Sequence, residues 1–249
     1  MIPDDRAFRR LREDWRNSLA SDEVLRRQAV DLQLNADTHQ YTYLREWCGV
    51  PVIRLPDDIV VLQEIIFSEK PDAVIEVGIA RGGGLVLNAS LMQMSGLVPR
   101  VLGVDIAIHR HTRTAIEGSR FAHSIEMWEG DSTSEAAQQK VAAFVQETSS
   151  TEPKHLLILD SNHTEEHVLR ELQLLANLLP VNSLVLVADT LIEEFPHGHY
   201  QNRSWDVGNN PMTAVNKFLE LNLDFSRETL LGRRALISEF RDGIIRKVM

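Results

Sequence analysis

Two aspartates and a histidine are the residues of this chain best placed to do chemistry. Asp160 ends the apolar run HLLILD and Asp189 ends SLVLVAD. Both runs have the length and composition of buried strands. Carboxylates at the ends of successive parallel strands approach each other in the crevice above the sheet. Two like charges so placed are costly unless a cation or protons are shared. Asp160 and Asp189 are therefore the expected ligands of a divalent metal, with Mg2+ suited to oxygen donors. The plainer alternative is two strand-end aspartates that cap the helices after them. His163 lies three residues beyond Asp160. From there an imidazole can take the proton of a hydroxyl that a metal has acidified, so Asp160 and His163 are the expected catalytic residues. The plainer role for His163 is again a helix cap.

A second group sits in PDAVIEVGIARGGG, residues 71–84. Ala73, Val74, Ile75 and Val77 make a near-continuous apolar run, which suits a strand covered on both faces. Glu76 lies near its carboxyl end. Gly78 permits a tight turn, and Gly82, Gly83 and Gly84 let backbone approach a ligand closely. Gly78 and Gly83 have the separation of a Walker A loop, but Gly84 and Leu85 stand where that loop needs Lys and then Ser or Thr. The dinucleotide pattern G-x-G-x-x-G fails because position 80 is Ala. An acid ahead of a looser glycine turn resembles the first motif of S-adenosylmethionine-dependent methyltransferases, with Arg81, Gly82 and Gly83 in the cofactor turn. The bland alternative is a turn that only joins strand to helix. Asp105 ends RVLGVD, 29 residues beyond Glu76, where an acid can accept from a ribose diol. Asp131 and Ser132 follow a possible third strand, Ser124–Trp128. In methyltransferases an acid there commonly receives the adenine amino group, but Asp131 serves equally well as a turn residue or helix cap.

The elements that must position these groups alternate. Helices are expected at Ile59–Ser68, Leu85–Met94, Ser134–Gln146, Glu165–Leu179 and Met212–Leu221, between the strands named above. Strand and helix in alternation predict an α/β fold with a doubly wound, mostly parallel sheet. Asp4–Leu32 is polar and helix-prone, and Asp22–Leu34 forms a second helical stretch. Phe8, Leu11, Trp15 and Leu19 give the first an apolar stripe that could pack on the core, cover the site or contact another subunit. Residues 1–48 thus form a helical extension and residues 49–249 the domain. Asn35–Tyr43 looks like a loop, and Trp47–Leu55 looks irregular. Leu191–Asn210, long and without periodicity, suits a substrate-binding loop. Glu228–Leu231 and Ala235–Phe240 suit a closing antiparallel hairpin, with Gly232-Arg233-Arg234 as its turn. Thr148–Lys154 reads as a polar linker.

The formal charge of 26 minus 36, or −10, argues against a nucleic-acid partner. Cys48 is the only cysteine, which excludes an internal disulfide and a cysteine metal cluster and makes a cytoplasmic location the expectation. No apolar run approaches the ~18 residues of a membrane span, and the first residues lack an apolar signal core.

Taken together, VIEVGIARGGG, GVDI, EGDST, LLILDSNHTEEHVLREL, VADT and NNPMTAVNKFL resemble the cephalosporin hydroxylase family from about Gly49 to Leu221. That family comprises S-adenosylmethionine-binding α/β proteins of antibiotic and sugar biosynthesis, rhamnosyl O-methyltransferases among them. The resemblance implies a Rossmann-like class I methyltransferase that methylates a hydroxyl of a small-molecule glycoside. It implies Glu76, Gly78, Asp105 and Asp131 in the S-adenosylmethionine site, Asp160 and Asp189 on the metal, and His163 as the base. The family usually has Glu-Asp at the end of the fifth strand, whereas this chain has Ala188-Asp189. Glu193 and Glu194 are within loop reach to replace the lost carboxylate. The N-terminal stripe makes a homo-oligomer the expectation. One competing motif is His163-Thr-Glu-Glu166-His167, which fits the zinc-peptidase pattern H-x-x-E-H. A non-catalytic nucleoside-binding protein is the other alternative, with Ala188 in its favour.

Overall fold

The computed structural model describes residues 5–148 and 150–249. Asp4, where the first helix is expected to begin, and Ser149, in the expected linker, lie outside them. The extension is two helices, α1 (Asp5–Ser21) and α2 (Glu23–Asp37). Asp22 starts α2 by accepting from the Leu25 N–H at 2.9 Å. No residue of α1 is buried, and Phe8, Leu11 and Trp15 are exposed. It is α2 that docks on the domain: Val30 and Leu34 pack with Leu191, Phe195 and Ile237.

The segment expected to be irregular is instead a small hairpin, β1 (Arg45–Trp47) with β2 (Val50–Val52). Its turn residues, Cys48 and Gly49, both have positive φ, 52° and 81°. That is the geometry of a primed two-residue turn, and its twist matches paired strands. The chain then enters α3 (Pro56–Glu69), which opens with Pro at its first position.

The main sheet follows: β3 (Ala73–Val77), α4 (Gly83–Met94), β4 (Val101–Asp105), α5 (Arg110–Glu117), β5 (Ile125–Glu129), α6 (Glu135–Gln146), β6 (His155–Leu159), α7 (Glu165–Leu175) and β7 (Leu184–Val187). After α7 a 3-10 turn, Ala176–Leu178, carries the chain to Pro180. The last elements are α8 (Pro211–Leu221), β8 (Phe225–Arg227), α9 (Thr229–Gly232) and β9 (Ile244–Lys247). The strand order is β5-β4-β3-β6-β7-β9-β8. The first five strands are parallel, and β9 is antiparallel to both β7 and β8. From β3 the chain winds toward β5; from β6 it winds the other way. The crevice above the β3–β6 pair is therefore the topological switch point.

Both faces of the sheet are covered, as the apolar strands require. Val74 joins a cluster with Leu62, Ile66 and Leu85. Ala73, Ile75 and Val77 join another with Val141, Leu172, Val215 and Phe218.

The C-terminal hairpin differs from the expected one. Its strands are β8 and β9, while Glu228–Phe240 holds α9 and an irregular loop. Leu231, Ala235 and Phe240 are buried, so these apolar residues pack without joining a ladder. The loop's backbone groups are already engaged: the Glu239 N–H by Asp58, and the Glu239 and Arg241 carbonyls by Thr190. Among the described residues no helix is long and apolar enough to cross a membrane.

Gly78 follows β3 and packs closely against the backbone that follows β6. Its φ is +89°, and a Cβ there would lie 2.0 Å from the Asp160 carbonyl oxygen. Gly78→Ala should lower stability by roughly 1–3 kcal/mol or more, because strain and a backbone clash act together. A shift in the urea midpoint checks this; an unchanged midpoint contradicts it.

Candidate functional site

The β3 turn and the ends of β6 and β7 open into one cavity of about 630 Å³. The sheet side supplies Glu76, Gly78, Arg81, Gly83, Asp160 and Asp189. The opposite walls come from α2 (Gln33, Leu34, Asp37), the segment after β2, and the loop after β7 (Phe195, His199, Tyr200, Arg203, Trp205). The long loop expected to bind substrate therefore lines the cavity. Asp37 ties the extension to it, accepting from Gln33 Nε2 at 2.8 Å and from the Tyr200 hydroxyl at 3.1 Å. Burial, helped by that carboxylate, pushes the Tyr200 phenol up, so Tyr200 stays protonated as a donor.

Asp160, His163 and Asp189 meet as their strand-end positions require. One donor atom from each lies within 4.8 Å of the others. His163 Nε2 is 3.1 Å from Asp189 Oδ2, and its ring meets Trp205 edge-on with centroids 4.7 Å apart. The two carboxylates are oxygen donors that fit a divalent cation, and the His163 imidazole stands beside them. Glu193 and Glu194 do not complete it. Glu193 accepts from the side chain of Asn210 and the Gly208 N–H, and Glu194 pairs with Arg26 and Arg241.

Sequence reasoning missed a buried ionic cluster in the wall of the cavity. Arg54, 2% exposed, follows β2. Its Nη2 lies 3.4 Å from Glu76 Oε1 and 3.5 Å from Asp160 Oδ2, and its Nη1 lies 3.6 Å from Glu239 Oε2. The guanidinium also stacks over Phe240 at 4.9 Å. Asp58, fully buried in the first turn of α3, accepts from the Ser238 hydroxyl and from the Glu239 N–H at 2.8 Å, which fixes Glu239 on the cavity wall. Glu76 takes a further bond from Asn88 Nδ2 at 2.8 Å. The sequence signal for this cluster was slight: a lone Arg in an apolar segment and a lone Glu in another.

Burial shifts every carboxyl here upward. Asp160 is raised well above the usual range by burial, with Asp189, Glu76 and Glu171 adding repulsion that Arg54 only partly offsets. Glu239 is raised by burial and then by Asp58, against Arg54. Burial raises Glu76, opposed by Arg54 and Asn88. Burial alone would depress Arg54, but Asp160, Glu76, Glu239 and Asp58 push it up, so it stays charged.

The remaining sequence candidates lie elsewhere. Gly82 caps α4 with φ 87° and does not line the cavity. Asp105 accepts from the Ile79 N–H at 2.9 Å and the Ala107 N–H at 3.1 Å, and so braces the β3 turn. Asp131 is exposed and accepts from the backbone and hydroxyl of Thr133; the cap of α6 is Ser134. Ser132 is buried, donating to Glu171 at 2.5 Å. The zinc-peptidase pattern dissolves. His163 precedes Thr164, the cap of α7, so the two histidines do not share a helix face. His167 instead meets Glu171 at 3.1 Å.

Five parallel strands in this order, closed by an antiparallel pair, with an acid-lined crevice at the switch point, define a Rossmann-like class I methyltransferase fold. Within that class the match is specific. The model of the family described as rhamnosyl O-methyltransferase/CmcI covers residues 39–248, and the chain belongs to this family. It is 30% identical over 150 residues to the rhamnosyl O-methyltransferase of Mycobacterium leprae (strain TN), covering 60% of this chain and 62% of that one. With the rhamnosyl O-methyltransferase of Mycobacterium tuberculosis (strain ATCC 25618 / H37Rv) it is 30% identical over 151 residues, covering 60% and 58%. The chain thus matches about three fifths of the length of these relatives. The apo structure of CmcI aligns with a TM-score of 0.61 at 18% identity, covering 83% of this chain and 77% of that one. A CmcI structure with Mg and S-adenosylmethionine aligns at 0.55 and 16%, covering 83% and 78%.

Asp58 makes the cluster sensitive to pH. Burial raises its carboxyl from 3.8 to about 6, against the Ser238, Glu239 and Arg54 contacts that lower it. The folded state thus holds the proton more tightly than the unfolded chain, and Asp58's contribution to stability falls as pH rises from about 4 through 6. Asp58→Asn should remove that slope. The difference in unfolding free energy between variant and parent should drift toward the variant from pH 4 to 6 and then level. Urea titrations at several pH values check this, and a constant difference contradicts it.

Proposed function

We propose that the protein is an S-adenosylmethionine-dependent O-methyltransferase that acts on a sugar hydroxyl of a glycosylated small molecule, assisted by Mg2+. The observation that carries this is the meeting of Asp160, His163 and Asp189 in the same cavity as the β3 glycine turn. Membership of the rhamnosyl O-methyltransferase/CmcI family and the names of the mycobacterial relatives support the acceptor class.

S-adenosylmethionine would supply the methyl group on a sulfonium, and a divalent cation held by Asp160 and Asp189 would make the acceptor hydroxyl more acidic. His163 takes the hydroxyl proton. The Asp189 carboxylate, 3.1 Å from its Nε2, stabilises the imidazolium that forms, and the edge contact with Trp205 fixes the ring plane. The β3 turn and the strand ends hold the donor, while α2 and the loop carrying Tyr200 and Trp205 close over the acceptor. Aromatic rings beside polar groups, such as Trp205 and Tyr200 with Asp37 and Arg203, suit the apolar face and hydroxyl rim of a sugar. The exposed stripe of α1 is consistent with a homo-oligomer in which a second copy covers it.

Asp160→Asn and His163→Ala should keep affinity for S-adenosylhomocysteine within about threefold but lower turnover by ~100-fold or more. Methyl transfer to a panel of rhamnosides and related glycosides, beside calorimetry with S-adenosylhomocysteine, checks both. Undiminished turnover in the two variants would remove their assigned roles. Absence of transfer by the parent to every glycoside, with normal binding of the donor product, would remove the acceptor class.

A further inference from the structure

We propose that Asp37 is a specificity-determining residue whose carboxylate accepts from two adjacent hydroxyls of the acceptor sugar, so that the acceptor presents a free vicinal diol in addition to the hydroxyl that is methylated. This rests on the reaction assigned above and names the feature of the acceptor that the cavity reads.

Asp37 ends α2 and lines the cavity, with its side chain 19% exposed. A carboxylate accepts about four hydrogen bonds, two on each oxygen. Oδ1 takes one from Gln33 Nε2 and Oδ2 takes one from the Tyr200 hydroxyl, so each oxygen keeps a lone pair. Both of these donors are neutral groups, an amide and a phenol. His199 Nε2 stands 3.7 Å from Oδ2, too far for a hydrogen bond. Two acceptors side by side on one planar group match two hydroxyls on neighbouring carbons. The other carboxylates of the cavity are Glu76, Asp160, Asp189 and Glu239, and each belongs to the metal group or to the Arg54 cluster. Asp37 belongs to neither, so it is the carboxylate left for the acceptor.

The surroundings hold this carboxylate in place. Gln33 is 5% exposed, and Leu34 packs with Leu191 and Phe195. The His199 ring meets Phe195 and Tyr200 edge-on, with centroids 5.4 and 4.6 Å apart. Tyr200 links this wall to the chemistry. Burial, then Asp37 and Asp189, raises its phenol, so the hydroxyl stands within electrostatic reach of both carboxylates. Trp205, in the same loop, touches His163. A sugar ring with one hydroxyl at His163 then turns its remaining hydroxyls to the Asp37 wall. Arg203 lines that wall too, and its charge repels the ammonium of an amino sugar.

Methyl α-L-rhamnopyranoside, a triol, and its three monodeoxy analogues test this. In the parent, one analogue lacks the reacting hydroxyl and is not methylated. The other two should keep kcat and raise KM by about 10–100-fold, the range for a hydrogen bond to a charged group. Two adjacent hydroxyls at Asp37 leave the reacting one at an end of the triol, so the product should carry its methyl there. Asp37→Asn keeps the size of the side chain but removes the paired acceptors. It should raise KM for the full rhamnoside and bring the active glycosides within about threefold of one another, with affinity for S-adenosylhomocysteine unchanged by calorimetry. Tyr200→Phe leaves the carboxylate and should retain the discrimination. Its loss in both variants alike would mean that Asp37 only holds the loop, and would overturn the proposal. So would a methyl on the middle oxygen, or equal KM values for the active glycosides in the parent, and neither result depends on Asp37→Asn folding. If the parent binds S-adenosylhomocysteine but methylates no rhamnoside, the acceptor class assigned above falls, and this proposal with it.

Discussion

A single buried guanidinium ties the site to the rest of the fold. Arg54 faces Asp58 on α3, Glu76 on β3, Asp160 after β6 and Glu239 before β9. Each of these charges is expensive to bury alone, and each is tolerable only because the others are there. Segments separated by more than a hundred residues must therefore come together for any of them to be stable. Asp58 extends the constraint by holding the backbone of Glu239, and Phe240 extends it by stacking on Arg54. The C-terminal loop is irregular in backbone yet fixed in place, since its polar groups end in this cluster rather than in a ladder.

The sheet makes that convergence possible. The switch between β3 and β6 opens a crevice, and the glycine turn closes tightly on it because two side chains are missing. A Cβ on Gly78 would strike the Asp160 carbonyl, and one on Gly84 would lie 2.2 Å from Glu76 Oε1. The turn can therefore pass directly over the acid that ends β3 and beside the acid that ends β6. A Walker A loop could not do this with a lysine in place of Gly84. The departure from that motif is what leaves room for the Glu76 carboxylate.

What could be read from the sequence was whatever repeats along one element. The apolar runs of β3, β4, β6 and β7, and the helices after them, announce themselves by length and periodicity. The acids at their ends then follow from position, which is why Asp160, His163 and Asp189 could be named before their geometry was known. The hairpin at Arg45–Val52 was hidden because each strand has only three residues, and its turn puts a cysteine at positive φ. The C-terminal pair was displaced because Leu231, Ala235 and Phe240 look like strand residues but are buried by packing alone. Arg54 and Glu239 left almost no trace, since a single polar residue in an apolar stretch does not reveal a partner far along the chain.

The two sides of the cavity have different origins. The floor is built from strand ends and belongs to the part of the chain that matches the family model, residues 39–248. Part of the roof does not. Gln33, Leu34 and Asp37 come from α2, ahead of that match, and are held down by apolar contacts to Leu191 and Phe195 and by the Asp37 bond to Tyr200. Chemistry needs fixed distances, which a sheet supplies; recognition of a particular acceptor needs shape, which loops and an added helix supply at little cost to the core. In this chain Asp37 is where the two meet, a carboxylate from outside the matched region accepting from a tyrosine of the loop that follows β7.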